Sequence, residues 1–264
     1  RIFCLTYNMA QKILLITPKI DETHDDLAFA ALWAKAFSDA GFDVQVICTY
    51  RGACSLRFPV YSLGGERGVS RLGQFLNFQK LILSLDYDRV FVHMTPRWLA
   101  AGVAHDKVTT SGMPVRVAAA DGKTREMVLT ALGLAPEVPT VLITSGKEGV
   151  GDYTLVVESL ARHHQGPLQI IAVCGANARQ QALLNVLRMA LQKRLPAPVT
   201  LKVCGVVPHG DLLAWMRMAD LLITKAGGMT PAEAFAVGTP TILLDVVSGH
   251  ERENAALFVR LGVA

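Results

Sequence analysis

Short runs of Val, Ile and Leu recur along the chain, and most of them do not alternate with polar residues. Strands with this pattern are buried on both faces, which is typical of parallel strands covered by helices on either side. Between the runs, apolar residues recur at helical spacing, so strands and helices alternate. The pattern predicts an α/β fold with doubly wound parallel sheets. The predicted strands are 12–17, 43–48, 89–93, 140–145, 168–174, 200–205, 221–224 and 239–245, and the predicted helices are 25–40, 70–85, 152–164, 178–194, 209–219 and 230–237.

The runs fall into two sets, separated by a stretch at 105–127 that lacks a long apolar period and is interpreted as a connector. We place the domain boundary near residue 105, which gives domains of residues 1–105 and 106–264. Two such Rossmann-like domains would face a cleft at the carboxyl ends of their strands, where the ligands of α/β sheets bind.

Composition adds limits on partners and location. The 264 residues are 51% hydrophobic and carry a net charge of +4, with basic residues scattered rather than clustered as in nucleic-acid-binding proteins. We therefore predict no nucleic-acid partner, and the mild surplus fits anionic small ligands or an anionic membrane surface. The chain contains no uninterrupted run of about 18 apolar residues, so we predict no transmembrane helix. The start is unlike a signal peptide, and Met9 resembles a natural first residue.

The five cysteines show no metal-ligand spacing, so the sequence predicts no metal site. Cys48, Cys174 and Cys204 lie at the ends of apolar runs, as buried free thiols often do. An odd number of cysteines without a pattern indicates a reducing compartment, and we predict a cytoplasmic protein.

The stretch 221–245 places two glycines and a glutamate between two apolar runs. Gly227 and Gly228 follow the first run, where glycine either lets a ligand approach the backbone closely or allows a positive φ. Thr230 is predicted to cap the helix that follows it, and a helix N-terminus attracts phosphate. Glu233, one turn inside, is placed to accept hydrogen bonds from two sugar hydroxyls. The alternative is a plain turn with a capping box from Thr230 to Glu233.

Three further segments follow apolar runs at what should be the same edge of the second sheet. The segment 144–154 is rich in glycine but matches neither the dinucleotide fingerprint nor a P-loop, and a plain turn also explains it. The segment 173–178 is a similar turn, and 248–255 is predicted as a dense polar loop. The candidate binding residues here are Gly146, Glu148, Gly149, Gly175, Asn177, His250, Glu251 and Asn254.

Taken together, the four segments resemble the donor domain of GT-B glycosyltransferases. The similarity is to monogalactosyldiacylglycerol synthase, processive diacylglycerol glucosyltransferases and the N-acetylglucosamine transferase of lipid II synthesis. It covers about 106–264 and is most specific at 221–254, while 106–116 resembles the connector before that domain. The resemblance implies a nucleotide-sugar donor domain that needs neither a metal nor a cofactor, because helix ends and N–H groups stabilise the leaving diphosphate.

The same resemblance implies a role for each matched position in the nucleotide half of the site. Gly227, Gly228 and Thr230 would hold the diphosphate through backbone and hydroxyl groups. Glu233 would bind the ribose hydroxyls, and backbone atoms near Val207 would read the base.

At the sugar end, the resemblance places Glu251 and Asn254 against the donor sugar, in a segment similar to the family's Gln/Glu-Glu-x-Asn pattern. His250 stands where the relatives usually carry an amide-like residue, so the identity of the sugar stays open. The sugar transferred is expected to be a hexose.

The first domain resembles a different group. Residues 12–100 are similar to the acceptor domains of family-4 glycosyltransferases, which mostly retain anomeric configuration, whereas the relatives of the second domain mostly invert it. The stereochemical outcome therefore stays open. With about four strands the first domain is reduced, and the chain stops at LGVA where the family would continue, so the C-terminal end is expected to be short.

An inverting enzyme needs a general base near the acceptor hydroxyl. His93 follows a predicted strand and Asp25 lies in the loop after the first strand, so these are the candidate catalytic residues. Each has a structural alternative, because a histidine after a strand is often a packed residue and Asp25 with Asp26 would suit a helix cap. The amphipathic pattern at 71–85 either docks on lipid or packs on its own sheet.

The resemblance therefore implies a metal-independent hexosyltransferase that moves a sugar from a UDP-sugar to a hydroxyl of a lipid or polyprenyl-linked acceptor. It would work in the cytoplasm, in peripheral contact with the inner face of the cell membrane. A UDP-sugar epimerase of the same fold is one alternative. A catalytically silent UDP-binding module, a partner subunit or an engineered chimera is another.

Overall fold

The computed structural model describes residues 11–23, 28–93, 115, 122–194, 199–244 and 249–262. The chain divides into two compact units, residues 1–114 and 115–264, and each has its own parallel sheet. The boundary predicted near residue 105 lies outside the described residues and stays a prediction.

The first unit has a four-stranded parallel sheet in the order β3-β2-β1-β4. Alternate residues of β1 enter cores on opposite faces: Leu14 packs with Phe78 of α2, and Leu15 packs with Ala34 of α1. Burial on both faces explains why the strands read as unbroken apolar runs. The elements are β1 (Lys12–Ile20), α1 (Ala28–Asp39), β2 (Asp43–Arg51), β3 (Val60–Ser62), a 3₁₀ turn (Gly65–Arg67), α2 (Arg71–Ser84) and β4 (Arg89–Val92).

The second unit has a five-stranded parallel sheet in the order β7-β6-β5-β8-β9. The chain winds outward from β5 through β6 to β7, then returns to the other side of β5 for β8 and β9. Because all pairs are parallel, the carboxyl ends of the five strands lie at one edge. The elements are α3 (Arg125–Ala131), β5 (Thr140–Thr144), α4 (Tyr153–His163), β6 (Leu168–Val173), α5 (Ala178–Arg194), β7 (Val199–Cys204), α6 (His209–Met218), β8 (Leu221–Lys225), α7 (Met229–Val237), β9 (Thr241–Leu244) and α8 (Gly249–Arg260).

The predicted α/β fold with doubly wound sheets is confirmed, and each predicted strand has a counterpart at its place in the chain. Two predictions about segments are wrong. The end of the stretch interpreted as a connector forms α3, and the stretch interpreted as a polar loop after β9 forms α8. None of the described helices is both long enough and apolar enough to cross a membrane.

Arg125 shows why the end of the presumed connector belongs to the second unit. Its guanidinium donates to the carbonyl oxygens of Pro136 at 2.8 Å and Val138 at 3.1 Å. It also lies 2.9 Å from the Asp220 carboxylate, which accepts the Thr140 N–H at 2.7 Å. One side chain thus joins α3 to the starts of β5 and β8.

Candidate functional site

The winding of the second sheet changes direction between β5 and β8. The connection after β5 leads to one side and the connection after β8 leads to the other, so the two loops diverge above the carboxyl ends of these strands. Ligands of doubly wound sheets bind in the crevice that this reversal opens. The stretches 145–152 and 226–228 therefore border the expected binding position.

The loops after β5 and β6 interlock. A Cβ added at Gly149 would lie 2.0 Å from the carbonyl oxygen of Cys174, and one added at Gly175 would lie 2.0 Å from that of Lys147. Both glycines have positive φ, +53° and +56°. Asn177 completes the junction, because its Nδ2 donates to the Gly149 carbonyl at 3.0 Å and its Oδ1 accepts from the first turn of α5. These three predicted binding residues thus have structural contacts that account for their identity.

Gly146 and Glu148 differ from these three. Gly146 has a φ of +79° but no atom within 4 Å of an added Cβ, and Glu148 is exposed. Below them, the buried Ser145 hydroxyl lies 2.7 Å from the Tyr153 hydroxyl and donates to the Val150 carbonyl at 2.5 Å. Burial raises the pKa of Tyr153 to about 12. The buried hydrogen bonds of Ser145 thus connect the end of β5 to the far side of this loop and to the start of α4.

The backbone angles of Gly227 and Gly228, the pair after β8, do not require glycine. The N–H of Gly227 donates to the Lys225 carbonyl at 2.8 Å, and a Cβ at Gly227 would have Lys225 Cε as its nearest atom, at 3.7 Å. Gly228 has right-handed helical angles, with φ −79°. Of the two possibilities that the sequence left open, positive φ is excluded at both positions, and close approach by a ligand remains.

The predicted helix cap at this position is wrong. Helix α7 begins at Met229, with Gly228 as its N-cap and no side-chain cap hydrogen bond. Thr230 lies inside the first turn, and the alternative of a capping box from Thr230 to Glu233 fails with it. The hydroxyl of Thr230 stays at the helix start, next to N–H groups that have no partner within the helix.

Glu233 is buried, with 4% of its surface exposed, and its partner is a residue that sequence reasoning missed. His209 Nε2 lies 2.7 Å from Glu233 Oε1. His209 is the first residue of α6, and α6 packs against α7 through a shared core. The two residues are 24 positions apart, and no pattern in the sequence links them.

The start of α8 is tied to the exit of β8. Lys225 Nζ lies 3.3 Å from Glu251 Oε1, and Asn254 Nδ2 donates to the Ala226 carbonyl at 3.2 Å. Glu251 is 7% exposed, so its charge is largely removed from water and is balanced by Lys225. His250 lies in the first turn of α8, but its side chain is outside the described residues.

The segment after β7 is the one whose backbone is predicted to read the base. Val207 is partly buried and packs against the core beneath α6, while Val206 is 71% exposed. Pro208 is the N-cap of α6 and has no side-chain hydrogen bond. The structure thus places this segment, with its exposed Val206, directly before the helix that carries His209.

His93 follows β4 in the first unit and is 6% exposed. Its ring meets Phe29 and Trp33 edge-on, with centroids 5.0 Å apart in each case, and its Nδ1 lies 3.4 Å from Thr17 Oγ1. Burial lowers the pKa of His93 to about 4, so the ring is neutral at pH 7 and binds a proton weakly. Asp25 lies outside the described residues. The catalytic roles of both residues stay predictions.

A measurable consequence follows from the buried neutral ring of His93. The stability it contributes is fully present above the unfolded pKa, near 6.5, and is lost as the pH falls towards 4. Between pH 7 and pH 5, wild type should lose about 2 kcal/mol more stability than His93→Gln, which cannot titrate. Urea unfolding of both proteins at the two pH values tests this. Parallel losses in the two proteins would contradict a buried neutral histidine.

Asp21, at the carboxyl end of β1, is a second buried group that sequence reasoning missed. Hydrogen bonds from Thr23, together with Lys19 at 3.2 Å, hold its pKa at about 2.

Among the described residues, no group of three or more His, Cys, Asp or Glu is arranged to hold a metal ion, and the four described cysteines are free.

Parts of the chain are similar to known proteins. Residues 140–264 match the family described as Glycosyltransferase family 28 C-terminal domain. Together with the two Rossmann-like units, this match places the chain among proteins with the GT-B glycosyltransferase fold. The crystal structure of MurG from Acinetobacter baumannii has the same fold, with a TM-score of 0.60 at 16% identity over 96% of this chain and 84% of that one.

Two curated relatives resemble the chain more strongly in sequence. A processive diacylglycerol β-glucosyltransferase of Bacillus subtilis (strain 168) is 28% identical over 224 residues, covering 84% of this chain and 54% of the relative. The corresponding protein of Bacillus cereus (strain B4264) is 34% identical over 190 residues, covering 70% and 46%. The chain thus spans about half the length of these relatives. Both matches are longer than the second unit and must extend into the first, whose resemblance to family 4 stays a prediction.

Proposed function

We propose that this chain belongs to a glycosyltransferase that moves a hexose from a UDP-sugar to a hydroxyl group of a lipid acceptor. The observation that carries the proposal is the pair Gly227–Gly228: neither glycine has a positive φ, and a Cβ added at Gly227 would meet only Lys225 Cε, at 3.7 Å. The pair lies beside the reversal between β5 and β8 and directly before a helix that holds a buried carboxylate. A ligand that approaches the backbone closely explains all three features.

The diphosphate would lie at the N-terminus of α7. The first-turn N–H groups of Met229 and Thr230 have no partner within the helix, whereas Pro231 has no N–H. These groups and the Thr230 hydroxyl would stabilise the charge that develops on the leaving UDP, so no metal is required for that purpose.

The remaining groups would hold the rest of the donor. Glu233 would accept hydrogen bonds from the ribose hydroxyls, and the backbone at Val207 would contact the base. Glu251 and Asn254 would face the sugar, while already held by Lys225 and the Ala226 carbonyl, respectively.

The acceptor class comes from the relatives, whose names specify diacylglycerol as the molecule glucosylated. We propose a lipid acceptor for this chain and peripheral contact with the cytoplasmic face of a membrane. The outward face of α2 supports this contact. Leu72, Leu76 and Leu83 are 69%, 57% and 82% exposed and share one stripe, with Arg71 on one side and Lys80 on the other. An apolar stripe with basic borders suits an anionic lipid surface.

Replacing Leu76 and Leu83 together by Asp should reduce binding to vesicles that contain anionic phospholipid by about tenfold or more, because apolar burial is lost and like charge is added. Co-sedimentation with vesicles measures the effect. The matched control is Leu155→Asp with Val186→Asp, two exposed apolar positions of the second unit at 64% and 68% exposure. Equal losses in both variants, or none in the α2 variant, would contradict a lipid-binding role for this face.

Calorimetric titration with UDP tests the donor site directly. We expect one binding event per chain at submillimolar UDP. Absence of binding heat at millimolar UDP, from protein shown to be folded, would refute the proposal. Incubation with a UDP-sugar and diacylglycerol separates the alternatives: transfer yields a glycolipid, an epimerase yields an altered UDP-sugar without an acceptor, and a silent module yields neither.

A further inference from the structure

We propose that His209 is a positioning residue for ribose recognition. Its ring holds the Glu233 carboxylate by one oxygen and leaves the other oxygen directed at the nucleotide. This inference rests on the proposed UDP site and assigns to His209 a task distinct from contacting the ligand.

The first step is the burial of Glu233. A carboxylate with 4% exposure needs a partner, because an unpaired buried charge is strongly destabilising. His209 Nε2 is 2.7 Å from Oε1, within the range of a strong charge-assisted hydrogen bond. Within the described part of the chain, Glu233 makes no other side-chain hydrogen bond. Oε1 is therefore engaged by the protein, and Oε2 is the oxygen left for a ligand.

The second step is the rigidity of the pair. His209 opens α6 directly after Pro208, whose ring restricts the backbone, with φ −54°. Leu213 of α6 and Ala234 of α7 lie in one core cluster and are nearly inaccessible to solvent. The two helices that carry the pair are thus packed against each other, and the carboxylate is held in one orientation before any nucleotide binds.

His209 also lies close in sequence to the segment proposed to contact the base. Val206 and Val207 lie three and two residues before His209. The segment that would contact the base therefore leads directly into the residue that orients the ribose carboxylate. A nucleoside whose base contacts this segment would meet a carboxylate that is already oriented.

Because the Glu233 carboxylate is oriented in advance, less conformational freedom is lost when the nucleotide binds. Loss of this orientation should weaken the hydrogen bonds to the ribose hydroxyls and leave the other nucleotide contacts nearly unchanged. We expect His209→Ala to lower affinity for UDP about tenfold and to leave affinity for 2′,3′-dideoxy-UDP within about twofold of wild type. His209→Gln, whose amide can donate from a similar place, should recover most of the loss. His163→Ala, at the exposed end of α4, is the matched control and should change neither affinity.

A double-mutant cycle completes the test. If His209 acts through Glu233, His209→Ala should have no further effect on UDP affinity in a Glu233→Ala background. Calorimetry with both nucleotides on all variants, after circular dichroism has shown them to be folded, gives the result. A loss that is equal for UDP and its dideoxy analogue, or that persists in the Glu233→Ala background, would overturn the inference. Wild type that fails to bind UDP would instead refute the proposed function.

Discussion

Glu233→Ala should weaken UDP binding about a hundredfold. The buried carboxylate would accept hydrogen bonds from two ribose hydroxyls, and a hydrogen bond to a charged group contributes about 1.5 kcal/mol or more. Two such bonds amount to about 3 kcal/mol, which is about a hundredfold in the dissociation constant. His209, the partner left behind, has a side chain that is 36% exposed, so water can solvate it and the fold should tolerate the change. Calorimetric titration with UDP measures the effect.

Two variants make this result specific. Glu233→Gln keeps an acceptor oxygen but loses the charge, so an intermediate loss of about tenfold is expected. His93→Ala removes a residue of the first unit that is predicted to act on the acceptor, and it should change UDP affinity much less than Glu233→Ala does. Similar losses for Glu233→Ala and His93→Ala would indicate general destabilisation instead of a ribose contact.

Gly149→Ala should destabilise the protein by about 3 kcal/mol or more. The added methyl would lie 2.0 Å from the Cys174 carbonyl oxygen, a backbone atom that cannot move without displacing the start of the next loop. The left-handed backbone, with φ +53°, adds about 1 kcal/mol of strain for a residue with a side chain. The urea midpoint, followed by far-ultraviolet circular dichroism, should fall accordingly.

Gly146→Ala is the matched control, since its φ of +79° is similarly unfavourable but its added methyl would meet no atom within 4 Å. It should reduce stability by about 1 kcal/mol only. If Gly146 borders the nucleotide, this variant should also weaken UDP binding more than its small stability loss explains. Equal destabilisation by the two substitutions would contradict the interlocked loops as the reason for glycine at position 149.

The strands were predictable because burial on both faces leaves a simple trace, an unbroken apolar run. β3 was missed because its three residues are too few to show any period. α8 was missed because it lies at the surface, where Arg252 and Glu253 obscure the two buried positions Glu251 and Phe258. The sequence predicts the helix cap at Thr230, whereas the structure has it at Gly228. The difference arises because Gly228 adopts helical angles, and nothing in the sequence fixes the φ of a glycine.

The candidate site was predictable in part. Loops at the carboxyl ends of parallel strands share an edge whatever their sequence, so the residues in them can be grouped by position. Their contacts were not predictable. Whether a glycine serves a ligand or a neighbouring loop depends on atoms from another segment, as Gly149 and Cys174 show. The pairing of Glu233 with His209 likewise depends on how two helices pack.

The contacts between α8 and the end of β8 limit which segments can be exchanged between related proteins. Glu251 relies on Lys225, and Asn254 reaches the Ala226 carbonyl, although β9 separates these partners along the chain. A transplanted 249–260 helix would therefore arrive without its counter-ion unless position 225 travelled with it. The smallest block that could be exchanged without breaking these contacts would then run from β8 through α8.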